Sequence, residues 1–256
     1  MLKKRIIFIL FYQDGSFCLS RNFSLQKVGN TEWLLEKFRF LSIGDFIDEL
    51  IILDVSRNRE SSSSTNQLEK DISNLMERIF VPLTLGGGIR NIDDVARYFQ
   101  IGADKVSLNW AIRNSPELIS EVVEKHGSQA VVASLDVRMT SDGFSVFTDY
   151  GENKFGLLSE NLKLCERLGA GEVLITSIDK DGTASGLDYK MLNQLPDISI
   201  PIIACGGAGK PVHFFDALSL EHISGVATGN LFNFIGSGFF ELRTELCKKL
   251  PNLRSI

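Results

Sequence analysis

Two stretches of this chain suit the binding of phosphate. Leu83-Thr84-Leu85-Gly86-Gly87-Gly88-Ile89-Arg90 reads as a short buried strand that stops at glycines and turns into a helical pattern from Asn91. Ile202-Ile203-Ala204-Cys205-Gly206-Gly207-Ala208-Gly209 repeats the arrangement half a chain later and leads into a helical pattern from Pro211. Glycine lets backbone approach an anion without a side chain in the way, and the free N–H groups at a helix start supply partial positive charge. One such turn is equally well explained by close packing of strand on helix. Two copies at that spacing point to duplication of a multi-element half, with boundaries near 1–125 and 126–256.

The elements that would carry these turns alternate along the chain. Apolar runs of strand length fall at Arg5–Phe11, Glu49–Asp54, Val81–Leu85, Lys105–Leu108, Ala130–Leu135, Glu172–Thr176, Ile200–Ala204 and Gly225–Ala227. Helical patterns fall between and after them, at Glu32–Phe40, Asn66–Ile79, Ile92–Ile101, Pro116–His126, Leu158–Leu168, Tyr189–Gln194, Val212–Leu218 and Phe239–Lys248. Asn91 before its apolar run and Ser115-Pro116-Glu117 are helix starts. Eight alternating units over 256 residues, 44% of them hydrophobic, predict a single-domain α/β fold, a (β/α)8 TIM barrel with half-barrel duplication.

Chemistry in such a barrel sits where strands run into the following helices. That rim would carry Phe11, Asp54, Gly86, Asn109, Asp136, Ser177, Gly206 and Gly229-Asn230. With a glycine turn on each side, it fits an elongated substrate bearing a phosphate at both ends. Tyr12 to Asn30 is long for a strand-to-helix connection and would be a lid. Arg57 to Thr65, with four consecutive serines, reads as a mobile polar run.

Net charge of −5 and the lack of a basic cluster with interleaved aromatics argue against nucleic acid. Cys18, Cys165, Cys205 and Cys247 show no metal-ligand spacing and read as reduced thiols of a cytoplasmic protein. His126, His213 and His222 are scattered, so no metal is expected. The basic start followed by Ile6–Tyr12 is too short an apolar run for a leader, and no stretch approaches membrane-spanning length.

From end to end the sequence resembles the cyclase subunit of imidazole glycerol phosphate synthase, a half-duplicated barrel of histidine biosynthesis. The agreeing segments include Met1–Ile7, Asp48-Glu49-Leu50, Leu85–Arg90, Gly102–Ser107, Gly127–Val132, Gly169–Glu172 and Asp179-Lys180-Asp181-Gly182-Thr183. The resemblance implies a glutaminase subunit docked at the opposite, N-terminal face, with Asp104 in the interface, and ammonia passing along the barrel axis. It places the ammonia gate at Arg5, Glu49, Lys105 and Glu172. One phosphate site would use Gly88, Asn109 and the amide of Trp110, the other Asp181, Gly182, Gly207, Gly229 and Asn230. No metal or organic cofactor is implied.

The resemblance breaks at the catalytic pair. The family reaction uses two carboxylates facing each other across the mouth; Asp136 is one, and Phe11 stands in place of the other. Phenylalanine cannot exchange a proton, and losing half of an acid–base pair costs about 100- to 10,000-fold in rate. Leu19 stands near the place of the family's first-loop lysine, and Trp110, Gly229 and Asn230 stand where small residues are usual. The leading expectation is a paralogue that keeps the ammonia path but serves another acceptor. Cyclase-like chains in surface-polysaccharide clusters work in this way, with a separate amidotransferase that makes an acetamidino sugar. A second reading is a true cyclase acting through Asp136 alone or with Asp14 or Asp54, and a third is a non-catalytic activator of the glutaminase.

Overall fold

The computed structural model describes residues 3–36, 40–57, 62–229 and 238–254. In chain order its strands are β1 (Arg5–Gln13), β2 (Ser16–Arg21), β3 (Ser24–Gly29), β4 (Glu49–Asp54), β5 (Leu83–Gly86) and β6 (Lys105–Leu108), followed by β7 (Val131–Thr140), β8 (Gly143–Thr148), β9 (Asn153–Leu157), β10 (Glu172–Ser177), β11 (Ile202–Cys205) and β12 (Ile223–Thr228). Its helices are α1 (Thr31–Glu36), α2 (Leu41–Gly44), α3 (Ser62–Met76), α4 (Ile92–Gln100), α5 (Trp110–Asn114), α6 (Pro116–His126), α7 (Leu158–Arg167), α8 (Tyr189–Leu192), α9 (Pro211–Leu218) and α10 (Gly238–Lys249).

Eight strands pair in parallel in the order β1, β4, β5, β6, β7, β10, β11, β12, and β12 pairs back on β1. The sheet therefore closes into the expected barrel. Alternation along each strand sorts the side chains. One set, among it Ile6, Phe8, Leu50, Ile52, Val106 and Val226, joins the cluster between barrel and helices. The other set, Ile7, Ile9, Ile51, Val132, Leu174 and Ile203 with Cys205 and Ala227, fills a separate interior cluster along the axis, and Phe11 and Leu53 cap it.

Several boundaries differ from those the sequence suggests. Tyr12–Asn30 is an antiparallel hairpin instead of a loop: β1 runs on to Gln13, the two-residue turn Asp14-Gly15 leads into β2, and Asn22-Phe23 turns into β3. A second hairpin, β8 and β9, grows from the extended end of β7 in the other half of the chain. Serines 62–64 and Thr65 belong to the first turns of α3, so that part of the polar run is helical, while residues 58–61 lie outside the described set. Of the pattern over Glu32–Phe40 the helix α1 covers the part up to Glu36, residues 37–39 lie outside the described set, and α2 follows only after Phe40. Among the described residues, no helix is long and apolar enough to cross a membrane.

Candidate functional site

The C-terminal rim of the barrel opens into two cavities, of about 520 and 510 Å³. Gly88, Asn109, Trp110 and Asp136 line the first. Asp181, Gly182, Gly207 and Gly229 line the second. The phosphate-site residues expected from sequence thus fall in two chambers, one glycine turn in each, while Gly86 and Ser177 line neither; Asn230 lies outside the described residues. Both turns have the backbone that glycine permits. In the first, Gly87 has φ +103°, and a Cβ there would collide with the Asp54 carbonyl oxygen; in the second, Gly207 has φ +99°, and a Cβ would collide with that of Gly186.

Asp136 projects from β7, whose register places it beside Thr176 of β10 and Phe147 of β8. Asn109, at the end of β6, donates from Nδ2 to the Ser134 carbonyl (2.9 Å) and to Asp136 Oδ2 (3.1 Å), which fixes the carboxylate's direction. Burial pushes the Asp136 carboxyl up to about 7; the Asp181 charge adds to this and the Asn109 hydrogen bond opposes it. The side chain keeps some surface open to its chamber. A carboxyl of this kind can give and take a proton at neutral pH.

Phe11 occupies the expected second catalytic position and lines both chambers. Neither proposed substitute acid faces Asp136 from that spot. Asp14 sits in the first hairpin turn with φ +48°, half exposed, 3.6 Å from Lys27. Asp54 borders the first chamber, but it follows inward-facing Leu53 on the strand and its charge acts on Tyr12, which packs outside the barrel; its Oδ1 accepts from Ser56 N at 3.0 Å. Leu19 lines the second chamber.

The rim also uses residues that the sequence did not single out. The first hairpin is fastened to the segment after β10: Asn22 N–H donates to the Asp181 carbonyl (3.0 Å), while Ser20 Oγ (2.5 Å) and Phe23 N–H (3.2 Å) donate to Asp181 Oδ2. Burial raises the Asp181 pKa, and these two donors work against that. In the first chamber the Arg90 guanidinium lies 4.1 Å over the Trp110 ring, and Arg57 lies 4.8 Å over that of Tyr150. Trp110 therefore does shape one chamber, as the anchor of an arginine. Cys205, at the end of β11, lines the second chamber, its thiol pushed up to about 12 by burial and the Asp181 charge.

At the other end of the barrel, four charged side chains from the first residues of β1, β4, β6 and β10 form a closed ring. Arg5 reaches Glu49 (2.7 Å) and Glu172 (2.5 Å), and Lys105 reaches the same two carboxylates (3.1 and 2.7 Å). Each cation bridges both acids, so the set is neutral and mutually paired, as burial requires. Burial works against the charge on Glu172, but Arg5 and Lys105 outweigh it and hold its pKa below the usual range. Arg5 donates further to Ser224 Oγ (2.9 Å), while its buried Nε has no hydrogen-bond partner among the described residues. Asp104, exposed on this face, accepts from Leu83 N–H at 2.8 Å.

Comparison with known proteins agrees with this architecture. Residues 41–236 match the family described as histidine biosynthesis protein. An imidazole glycerol phosphate synthase subunit HisF of Prosthecochloris aestuarii is 38% identical over 250 residues, 96% of this chain and 96% of that protein. Another, of Natranaerobius thermophilus, is 36% identical over 99% of this chain and 100% of its own length. A protein of Parasynechococcus marenigrum with the provisional name imidazole glycerol phosphate synthase subunit hisF2 is 42% identical over 93% of this chain and 88% of its own. A closed parallel barrel, a glycine turn in each half and this likeness over nearly its whole length together establish that the chain belongs to the imidazole glycerol phosphate synthase subunit family of histidine biosynthesis proteins.

Proposed function

We propose that this barrel takes ammonia from a glutaminase subunit docked at its N-terminal face and passes it through the ionic ring and along the axis to the rim. There its altered chemistry serves an acceptor other than the histidine-pathway substrate. The observation that carries this reading is Phe11: the axis ends at an aromatic ring where an acid–base pair would need its second carboxylate. What supports the path is the neutral ring at one end, the apolar lining above it and the unclaimed Arg5 N–H, a donor that the lone pair of ammonia can accept. The acceptor we favour is an acetamido sugar of surface-polysaccharide synthesis, converted to the acetamidino form by a separate amidotransferase in the cytoplasm. Gly88, Asn109 and Trp110 on one side and Gly182, Gly207 and Gly229 on the other would hold phosphate.

Asp136 favours one competing reading. Its pKa of about 7 suits proton transfer, so a cyclase working with this acid alone is the alternative. Purified chain, the phosphoribulosyl substrate of the family and ammonium salt at alkaline pH separate the two. Turnover about 100-fold or more below that of an ordinary cyclase subunit is expected. Turnover equal to such a subunit would eliminate the altered-chemistry reading.

A further inference from the structure

Two of the four ring residues follow an aspartate that grips the neighbouring strand. Asp48, ahead of Glu49, donates its N–H to the Ile6 carbonyl (2.7 Å) and accepts the Ile6 N–H on Oδ2 (2.7 Å). Asp104, ahead of Lys105, holds Leu83 by the same two bonds, both of 2.8 Å. The two grips differ in their surroundings. Asp104 is exposed, so water compensates its charge, whereas Asp48 is buried and needs a counter-ion. Arg243, itself buried on α10, supplies one: its Nη2 donates to Asp48 Oδ1 (2.9 Å) and its Nη1 to Oδ2 (3.3 Å). The same guanidinium donates to the carbonyls of Phe46 (3.0 Å) and Arg254 (2.5 Å).

These contacts converge on Arg5. The residue after it, Ile6, is held by the aspartate that Arg243 pairs. The residue before it, Lys4, is held by the C-terminal segment: Lys4 N–H donates to the Asn252 carbonyl and Arg254 N–H to the Lys4 carbonyl, both at 2.9 Å, and Arg243 secures that segment through the Arg254 carbonyl. Asp48 also fixes the start of β4, where Glu49 meets Arg5 at 2.7 Å. We infer that Arg243 is the positioning residue of the ionic ring: through Asp48 and the C-terminal segment it holds Arg5 and Glu49 at the spacing that lets Arg5 bridge both acids. The fork of a guanidinium suits this task, because it binds a carboxylate at two points and still has N–H groups for two carbonyls. The inference deepens the proposed function by naming what keeps the ring in register, and it rests on that reading for the ring's role as the entrance for ammonia.

The test is the titration of Glu172, followed through the carbon-13 shift of its carboxyl in the full chain. Burial opposes the charge on Glu172, and Arg5 and Lys105 hold it below the usual carboxylate range. Arg243→Met alone would leave Asp48 buried without a counter-charge, so the pair is removed together: Asp48→Leu with Arg243→Met keeps the net charge and puts apolar groups in place of a buried ion pair, a change that folds usually tolerate. Arg243→Lys is the second variant; it keeps a charge opposite Asp48 but gives up the fork that reaches Phe46, Asp48 and Arg254 together. Leu246→Ala, buried on the same helix, is the control for a loosened α10. Glu172 should titrate higher than in wild type in the paired variant, and by a smaller step in Arg243→Lys, because an Arg5 that is no longer held ceases to bridge both acids. Leu246→Ala should leave the titration where it is. A wild-type titration in the folded variants overturns the inference. An equal rise in Leu246→Ala also overturns it, since any loosening of the helix would then have the same effect. No ammonia, partner or turnover enters this readout, so its failure leaves the proposed path standing. Conversely, glutamine-driven chemistry that ignores the ring would remove the path and leave the positioning role intact.

Discussion

The Asp136 carboxyl titrates at about 7 because burial and the Asp181 charge oppose ionisation more than the Asn109 amide favours it. In the unfolded chain the same group titrates near about 3.9. Between those two values the folded protein binds the extra proton, so stability falls as pH rises from about 4 to about 7 and is level above that. Ionising Asp136 in place costs at most on the order of 4 kcal/mol, since the chamber leaves part of the side chain in water. Asp136→Asn keeps the size and removes the titration. Denaturant unfolding at pH 5 and pH 8 should show the variant gaining on wild type at the higher pH, by at most about 2.5 kcal/mol, the part of that cost that falls between the two pH values. A difference equal at both pH values would mean that the carboxyl is not perturbed. The same variant should lower any reaction that uses Asp136 by about 100- to 10,000-fold while staying folded. If the chain only activates a glutaminase, the substitution changes nothing.

Secondary structure shows where the sequence could be read and where it could not. The eight barrel strands were legible because each is an apolar run with a turn signal behind it, and Glu49–Asp54 and Lys105–Leu108 match to the residue. The hairpins were not. Asp14-Gly15 is recognisable as a turn, but the next one, Asn22-Phe23, has no glycine, and both of its residues take positive φ (50° and 64°). That conformation is held from outside the hairpin: Asp181 accepts from the Phe23 N–H, and Asn22 Nδ2 donates to the Ile178 and Asp179 carbonyls. A contact spanning much of the chain decides a local turn, and no window of sequence contains it. The expected rim was legible for a related reason, since it lies at strand ends, whereas Ser20, Leu25 and Phe23 reach the rim only because the hairpin folds over it. Gly182→Ala tests the fastening. Its Cβ would strike the Ser20 backbone and its φ would be strained, at a cost of about 1–3 kcal/mol. Amide exchange over Ser16–Gly29 should then quicken while the barrel strands stay protected. Unchanged exchange in that segment would show that the hairpin is held by something else.

Across the whole molecule, chemistry at the rim is separated from the ionic ring by the length of the barrel, so a substitution at the ring tests the path without touching the site. Lys105→Met keeps the apolar stem and removes one of two positive charges, leaving Arg5 alone to neutralise Glu49 and Glu172. Breaking a buried ionic set costs about 3–5 kcal/mol, and the lower end applies because the Lys105 side chain is 17% exposed. With Lys105 gone, one carboxylate is undercompensated and its pKa rises, so the destabilisation should be largest at neutral pH and shrink as the acids protonate below about pH 5. Urea unfolding of wild type and variant at pH 4.5 and 7.5 reads this directly; a deficit that grows on acidification would contradict the paired ring. The functional consequence follows from position. If ammonia enters through this ring, the variant should lose product formation driven by glutamine and a partner glutaminase, yet keep formation driven by added ammonium salt, which reaches the open rim without crossing the barrel. Equal loss with both nitrogen sources would place the defect at the rim and remove the axis from the reaction, while equal retention would show that nitrogen enters by another way.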